Sequence, residues 1–210
     1  MLLVNLSAPE LAGLLLALVL GLTFHEFSHA YVADELGDHR PRALGRVSLN
    51  PLHHLDPVGS IFMLIAGFGW AKPVPVNAYA LRPGRIGLTM VALAGPLANF
   101  AVALVFALLF RLLQLAGLLD AEFLRLLISR IVYFNIALGI LNLIPIPPLD
   151  GYNVVLPLLP QRQAFQVQRY AKYGYLALLL LVFLSYGSAG GPLDWLFGGA
   201  GSITGFLTGA

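Results

Sequence analysis

Cysteine is absent from this 210-residue chain, which excludes disulfides, thiolate metal ligands and cysteine nucleophiles. Charge is nearly as scarce. Asp, Glu, Lys and Arg make up 10% of the residues, where soluble domains average about 25%. No Lys or Arg precedes the first apolar run, which carries Glu10 instead, so a retained helix is expected there rather than a cleaved leader. The net charge of +2 comes from arginines in short loops, which suits an anionic leaflet and gives no case for nucleic acid. What fills the chain instead is apolar, 59% of all residues with a mean hydropathy of +0.83. That is the composition of an all-α polytopic membrane protein, and its length leaves room for one domain spanning 1–210.

Four apolar stretches approach the roughly 20 residues that a ~30 Å hydrocarbon core demands: 8–33, 86–110, 124–146 and the shorter 170–186. Residues 195–210 are glycine-rich and weakly apolar, either a further span or an interfacial tail. Residues 57–71 are apolar but few, and they contain Gly59, Gly67 and Gly69. A re-entrant segment is expected there. With that fold-back, Arg40, Arg42, Arg46, Lys72, Arg82, Arg85, Arg162, Arg169 and Lys172 share one side, against Arg111, Arg125 and Arg130 on the other. A crossing segment would divide the same charges evenly. The positive-inside rule therefore favours the fold-back, an outer N-terminus and a basic cytoplasmic face.

Within the first span stands Phe24-His25-Glu26-Phe27-Ser28-His29. Ionisable groups at membrane depth are expensive and usually functional. Residues four apart lie one above the other on a helix, so His25 and His29 can share a metal. Glu26, one step round, can act as general base toward a water at that metal. A third protein ligand is needed, normally a carboxylate. The candidates are Asp34, Asp38, Asp56, Asp120, Asp150, Asp194 and the glutamates other than Glu26. Asp150 stands out, because Pro145, Pro147 and Pro148 break the third apolar helix just before it. The fold-back topology brings it to the depth of the histidines. Its plain alternative is to cap a short helix running through Pro157.

Other polar residues sit in or beside the apolar segments. Asn135 and Asn142, two turns apart, share a face. They serve either helix packing or a substrate carbonyl and the oxyanion formed on it. Asn99 follows Gly95-Pro96, which should kink its helix and open a polar notch. His53 and His54 lie beside the re-entrant segment, where loop histidines are ordinarily solvated and a metal or gating role is the alternative.

Six motifs recur in order: F-H-E-F-S-H-A at 24–30, G-R-V-S-L-N-P at 45–51, H-L-D-P-V-G at 54–59, G-W-A-K-P-V-P-V-N at 69–77, A-L-A-G-P-L-A-N at 92–99 and N-L-I-P-I-P-P-L-D-G at 142–151. In these the chain resembles the site-2 protease family of intramembrane zinc metalloproteases, especially its small bacterial branch without a PDZ domain. The resemblance covers about residues 22–151; the last third carries no such motif. It implies a three-helix catalytic core, here 8–33, 86–110 and 124–146, with a membrane-embedded β element between the first two core helices; with the apolar stretches counted above, about four to six membrane helices are expected around that core. The catalytic core would span about 8–160, followed by C-terminal helices over 161–210.

It further implies one zinc held by His25, His29 and Asp150, Glu26 as the base, and Asn142 binding substrate or stabilising the oxyanion. Residues 72–77 would form an edge strand, limited by two prolines. The segment 57–71 is shorter than the branch leads one to expect, which bears on the gate rather than the chemistry. The activity implied is cleavage of membrane-spanning segments of other proteins, in a bacterial inner membrane, with the site toward the cytoplasm. The substrate would be a transmembrane protein; oligomeric state is open. A metal transporter or metal-binding scaffold would use the same ligands but would tolerate glutamine at 26. A pseudoprotease would lack chemical residues that are all present here.

Overall fold

A computed structural model describes residues 7–59, 71–119, 121–186 and 190–209. Three helices dominate: α1 (Ala8–Glu35), α2 (Arg85–Leu115) and α3 (Glu122–Asn142). Among the described residues these are the helices long and apolar enough to cross a membrane. They pack mutually, each against the other two.

The helix–helix contacts follow from small residues repeated every fourth position. On α1 these are Gly13, Ala17 and Gly21, and the same spacing continues through His25 and His29 to Ala33, all buried. At about 100° per residue, a step of four turns the row about 40°. The row therefore winds slowly round the helix, from α3 at its start to α2 at its end. A Cβ on Gly13 would stand 2.8 Å from Arg130 Cβ, and one on Gly21 2.8 Å from Asn135 Oδ1. Small residues are what allow apolar helices to associate in lipid, where burial alone offers no drive. On α2 the corresponding row is Gly87, Val91, Gly95, Asn99, Ala103 and Ala107, again buried throughout.

Contacts fix the directions. Glu10 near the start of α1 pairs with Arg130 on α3, and Gly21 meets Asn135, so α1 and α3 run the same way. His29 meets Val91 and His25 meets Asn99, so α2 runs opposite. Ser7 opens α1, its N–H donating to Glu10 Oε2 at 2.9 Å, half of a capping box. Gly37, at φ 112°, ends it in a conformation that favours glycine. Buried Asp38 then accepts the Asn77 N–H at 2.6 Å and is held by Arg40.

Beyond α3 come α4 (Asp150–Val155), α5 (Gln161–Tyr170), α6 (Gly174–Tyr186) and α7 (Pro192–Thr208). The span expected at 170–186 is divided. The polar α5 takes Tyr170, a 3-10 turn follows at Ala171–Tyr173, and α6 keeps 13 residues, about 20 Å at 1.5 Å per residue. The described part of the 195–210 segment lies in a helix from Pro192 to Thr208 that packs on α3 and α2, where Ala200 joins Ala103, Ala107, Val132 and Ile136. Three crossing-length helices are thus described where four to six were expected.

Between α1 and α2 the expected β element appears among the described residues as one antiparallel bridge, Leu55 to Ala71, with Lys72 N–H donating to His54 O at 2.7 Å. Residues 72–77 form no ladder; Pro73 and Pro75 lack the N–H groups a strand would donate. The interior of the expected re-entrant segment, 60–70, lies outside the described residues.

Candidate metal centre

His25 and His29 occupy successive turns of α1 with ring centroids 4.6 Å apart and planes at 89°. Their Nδ1 atoms are both engaged by α2: His25 Nδ1 donates to Asn99 Oδ1 at 2.7 Å, and His29 Nδ1 to Val91 O at 2.7 Å. Pro96 lacks the N–H that would close the turn onto Ala92 O, and α2 continues through it as one helix. The notch expected at Gly95-Pro96 is therefore where α2 meets the histidines. Gly95 makes the approach possible, since a Cβ there would lie 2.4 Å from His29 Nε2 and 2.6 Å from His25 Cε1.

With each Nδ1 donating, the neutral form of either imidazole presents a bare Nε2. The two Nε2 atoms are 3.1 Å apart. Asp150 closes the triangle, its Oδ2 3.0 Å from His25 Nε2 and its Oδ1 3.3 Å from His29 Nε2. A tetrahedral zinc with ligands at about 2.0–2.1 Å sets neighbouring donors ~3.3 Å apart, so the spacing fits. The donor set fits too. Asp150 Oδ2 is buried without a hydrogen-bond donor, and lone pairs converging in this way call for a cation. Among the described residues this is the group of His, Asp or Glu side chains close enough to share a metal.

Asp150 is the first residue of α4; Leu149 takes the N-cap position with no side-chain cap. The carboxylate thus faces the histidines instead of capping its helix, and the short helix ends at Val155 before a 3-10 turn at Leu156–Leu158. Gly151 sets the depth of this turn. A Cβ there would lie 2.2 Å from Leu143 O. Glu26 is half-buried beside the ligands, and its side chain makes no hydrogen bond among the described residues. Asn142 donates to Leu138 O at 3.0 Å and is half-buried.

Asn99 and Asn135 are placed differently. Both are fully enclosed and hydrogen-bonded to one another, behind His25. The loop histidines also divide. His53 is exposed, bonded to Gly45 O at 2.8 Å, whereas His54 is fully buried, its Nε2 on Ser48 O at 2.6 Å. Solvation was expected of both. His54 is enclosed because it ends the 3-10 turn Pro51–His53 and its carbonyl joins the bridge to Lys72. Neither belongs to the metal group.

Three crossing-length helices around a histidine–carboxylate cluster define a helical membrane metalloenzyme of the H-E-x-x-H kind. The chain belongs to peptidase family M50, the site-2 protease family, whose model matches residues 116–185. It is similar to the protein named "Putative zinc metalloprotease YwhC" of Bacillus subtilis, at 37% identity over 83% of this chain and 82% of that one. A second relative is "Putative zinc metalloprotease Rip2" of Mycobacterium tuberculosis, 32% identical over 89% of this chain and 74% of the relative. A third, "Putative zinc metalloprotease MJ0611" of Methanocaldococcus jannaschii, is 32% identical over 67% of this chain and 68% of its own. No solved structure matches the chain. The matched span 116–185 takes in the Asp150 motif but stops short of His25 and His29. It also reaches into the last third, where no motif was read.

Proposed function

We propose that this protein is an intramembrane zinc metalloendopeptidase that hydrolyses peptide bonds in or near transmembrane segments of other membrane proteins. The observation that carries the reading is the triangle of bare donors, His25 Nε2, His29 Nε2 and Asp150, with edges of 3.0 to 3.3 Å. These three residues would hold one zinc per chain. When bound, the metal supplies Lewis acidity to the scissile carbonyl and to water.

The chain's own residues do the rest. Glu26 takes a proton from the attacking water and delivers it to the leaving amine nitrogen. Asn142 uses its remaining amide hydrogen on the substrate carbonyl oxygen, where negative charge grows as the water adds. A helical substrate must unwind before its peptide bonds can be reached. The stretch 72–77 would offer the N–H groups of Val74 and Val76 to an unwound segment. Prolines at 73 and 75 leave that edge open by denying it a permanent partner strand.

The orientation is a bacterial inner membrane with the N-terminus outside and the site toward the cytoplasm. It is supported by the grouping of basic residues and by the Leu55–Ala71 bridge, which brings the two ends of the 57–71 segment together. A catalytic core over about 8–160 with C-terminal helices over 161–210 is part of the same reading. Purified chain in lipid nanodiscs should cut a peptide containing one transmembrane helix. A chelator should stop the reaction and stoichiometric zinc restore it. Zinc-independent cutting would remove the metal from the mechanism, and uptake of zinc into vesicles with no cutting at all would replace the protease reading.

A further inference from the structure

His25 Nε2 is bare only while the other ring nitrogen carries the proton, and a side chain on α2 decides which nitrogen that is. Asn135 Nδ2 donates to Ile131 O at 2.9 Å, which turns its Oδ1 toward Asn99 Nδ2 at 3.2 Å. Asn99 Nδ2 gives its other hydrogen to Gly21 O at 3.1 Å. Backbone carbonyls only accept, so Ile131 O and Gly21 O hold both amides in one orientation. Turning Asn99 over would set its oxygen against two acceptors. The Asn99 oxygen is then left for the hydrogen on His25 Nδ1.

We propose that Asn99, held by Asn135 and Gly21 O, is the positioning residue that locks His25 in its Nδ1–H tautomer and keeps Nε2 free for the metal. The inference rests on the zinc-ligand part of the function proposed above. An amide does this without adding charge. A carboxylate in its place would join Asp150 and Glu26 at membrane depth, where unpaired charge is expensive. The relay also ties the ligand to the packing of all three long helices, because its members stand on α1, α2 and α3. His29 needs no such residue, since its Nδ1 bonds a main-chain carbonyl.

The test uses the full chain in nanodiscs, with zinc(II) itself as the probe. It reads zinc affinity by chelator competition and the 15N signals of labelled histidines. The zinc-loaded wild type should show His25 Nδ1 protonated and slow to exchange. Losing the outer hydrogen-bond partner of a metal-bound histidine typically lowers metal affinity about 10–100-fold. Asn99→Leu should lose that much and lose the His25 signal while His29 keeps its own. Asn99→Asp retains the acceptor, so it should keep the His25 Nδ1–H signal, although its second oxygen then faces Gly21 O and Asn135 Oδ1 and part of the affinity is lost. A purely structural role would remove the His25 signal from both variants and disturb both histidines.

The proposal is overturned if wild-type His25 carries its proton on Nε2. It is overturned equally if Asn99→Leu binds zinc as wild type does with the His25 signal unchanged, or if Asn99→Asp loses the His25 signal as Asn99→Leu does. Should Asn99→Leu fail to fold, the wild-type spectrum and the Asn99→Asp comparison decide. A chain that binds zinc as described yet cuts no peptide would sink the protease reading alone, whereas a chain that binds no zinc would overturn both.

Discussion

At Gly95 a single methyl group separates an open metal site from a blocked one. A Cβ there would stand 2.4 Å from His29 Nε2, and neither ring can retreat while α2 holds both Nδ1 atoms. Gly95→Ala should therefore lower zinc affinity by at least the ~10–100-fold that follows loss of an outer partner. Asp150→Ala removes a donor outright and should lower it further; chelator competition measures both. Full zinc occupancy in purified Asp150→Ala would mean that the third ligand is another group. The grouping of His25, His29 and Asp150 was legible in the sequence, since helical spacing and a proline-broken helix end each have a geometric consequence. The partners of the ligands were not. Asn99 and Asn135 read only as amides at membrane depth, and which groups an amide meets depends on how α1, α2 and α3 cross.

Among the elements, the three long helices were read to within a few residues because uninterrupted apolar length is a strong signal. The break at 171–173 was not, because Tyr170 and Tyr173 are compatible with either a span or an interface. The four-residue rows Gly13–Ala17–Gly21 and Gly87–Val91–Gly95–Asn99 carried a packing signal that could have located the contact faces. Topology remains directly testable. Cysteines introduced singly at Arg46 and Arg82 should be labelled from the same side of the membrane, and one at Gly117 from the other. Labelling of 46 and 82 from opposite faces would refute the fold-back.

The tether of 72–77 to the end of α1 should depend on pH in a defined window. The Arg40 guanidinium holds the Asp38 carboxyl down at about 2, below the ordinary 3.8. A carboxyl lowered by folding adds stability that is fully present above its unfolded value and is lost as pH falls through the folded one. Normalised to the rate of a free thiol at each pH, because only the thiolate reacts, labelling of a cysteine placed at Val74 should thus be steady from pH 8 to 5 and accelerate only between about 4 and 2. Asp38→Asn should make the normalised labelling fast and independent of pH over that range. Equal rates in the two proteins at pH 7 would show that Asp38 does not anchor the segment.

Over the whole molecule, the parallel course of α1 and α3 brings the chain after α3 to the depth of His25 and His29, so that Asp150, far away in sequence, completes the triangle. Antiparallel α2 supplies what lies behind it. The C-terminal helices touch this core through α7 on α2 and α3 and contribute none of the three donors. The central claim is that this triangle serves hydrolysis, with Glu26 as the base beside it. The most direct measurement is the cleavage rate of a transmembrane-helix peptide by wild type and Glu26→Gln in the same nanodiscs, with zinc content determined on the same samples. A glutamine side chain keeps the shape but cannot take the proton. The rate should fall by about 10²–10⁴-fold or more while zinc stays near one per chain. A Glu26→Gln protein that cuts at close to the wild-type rate would contradict the account.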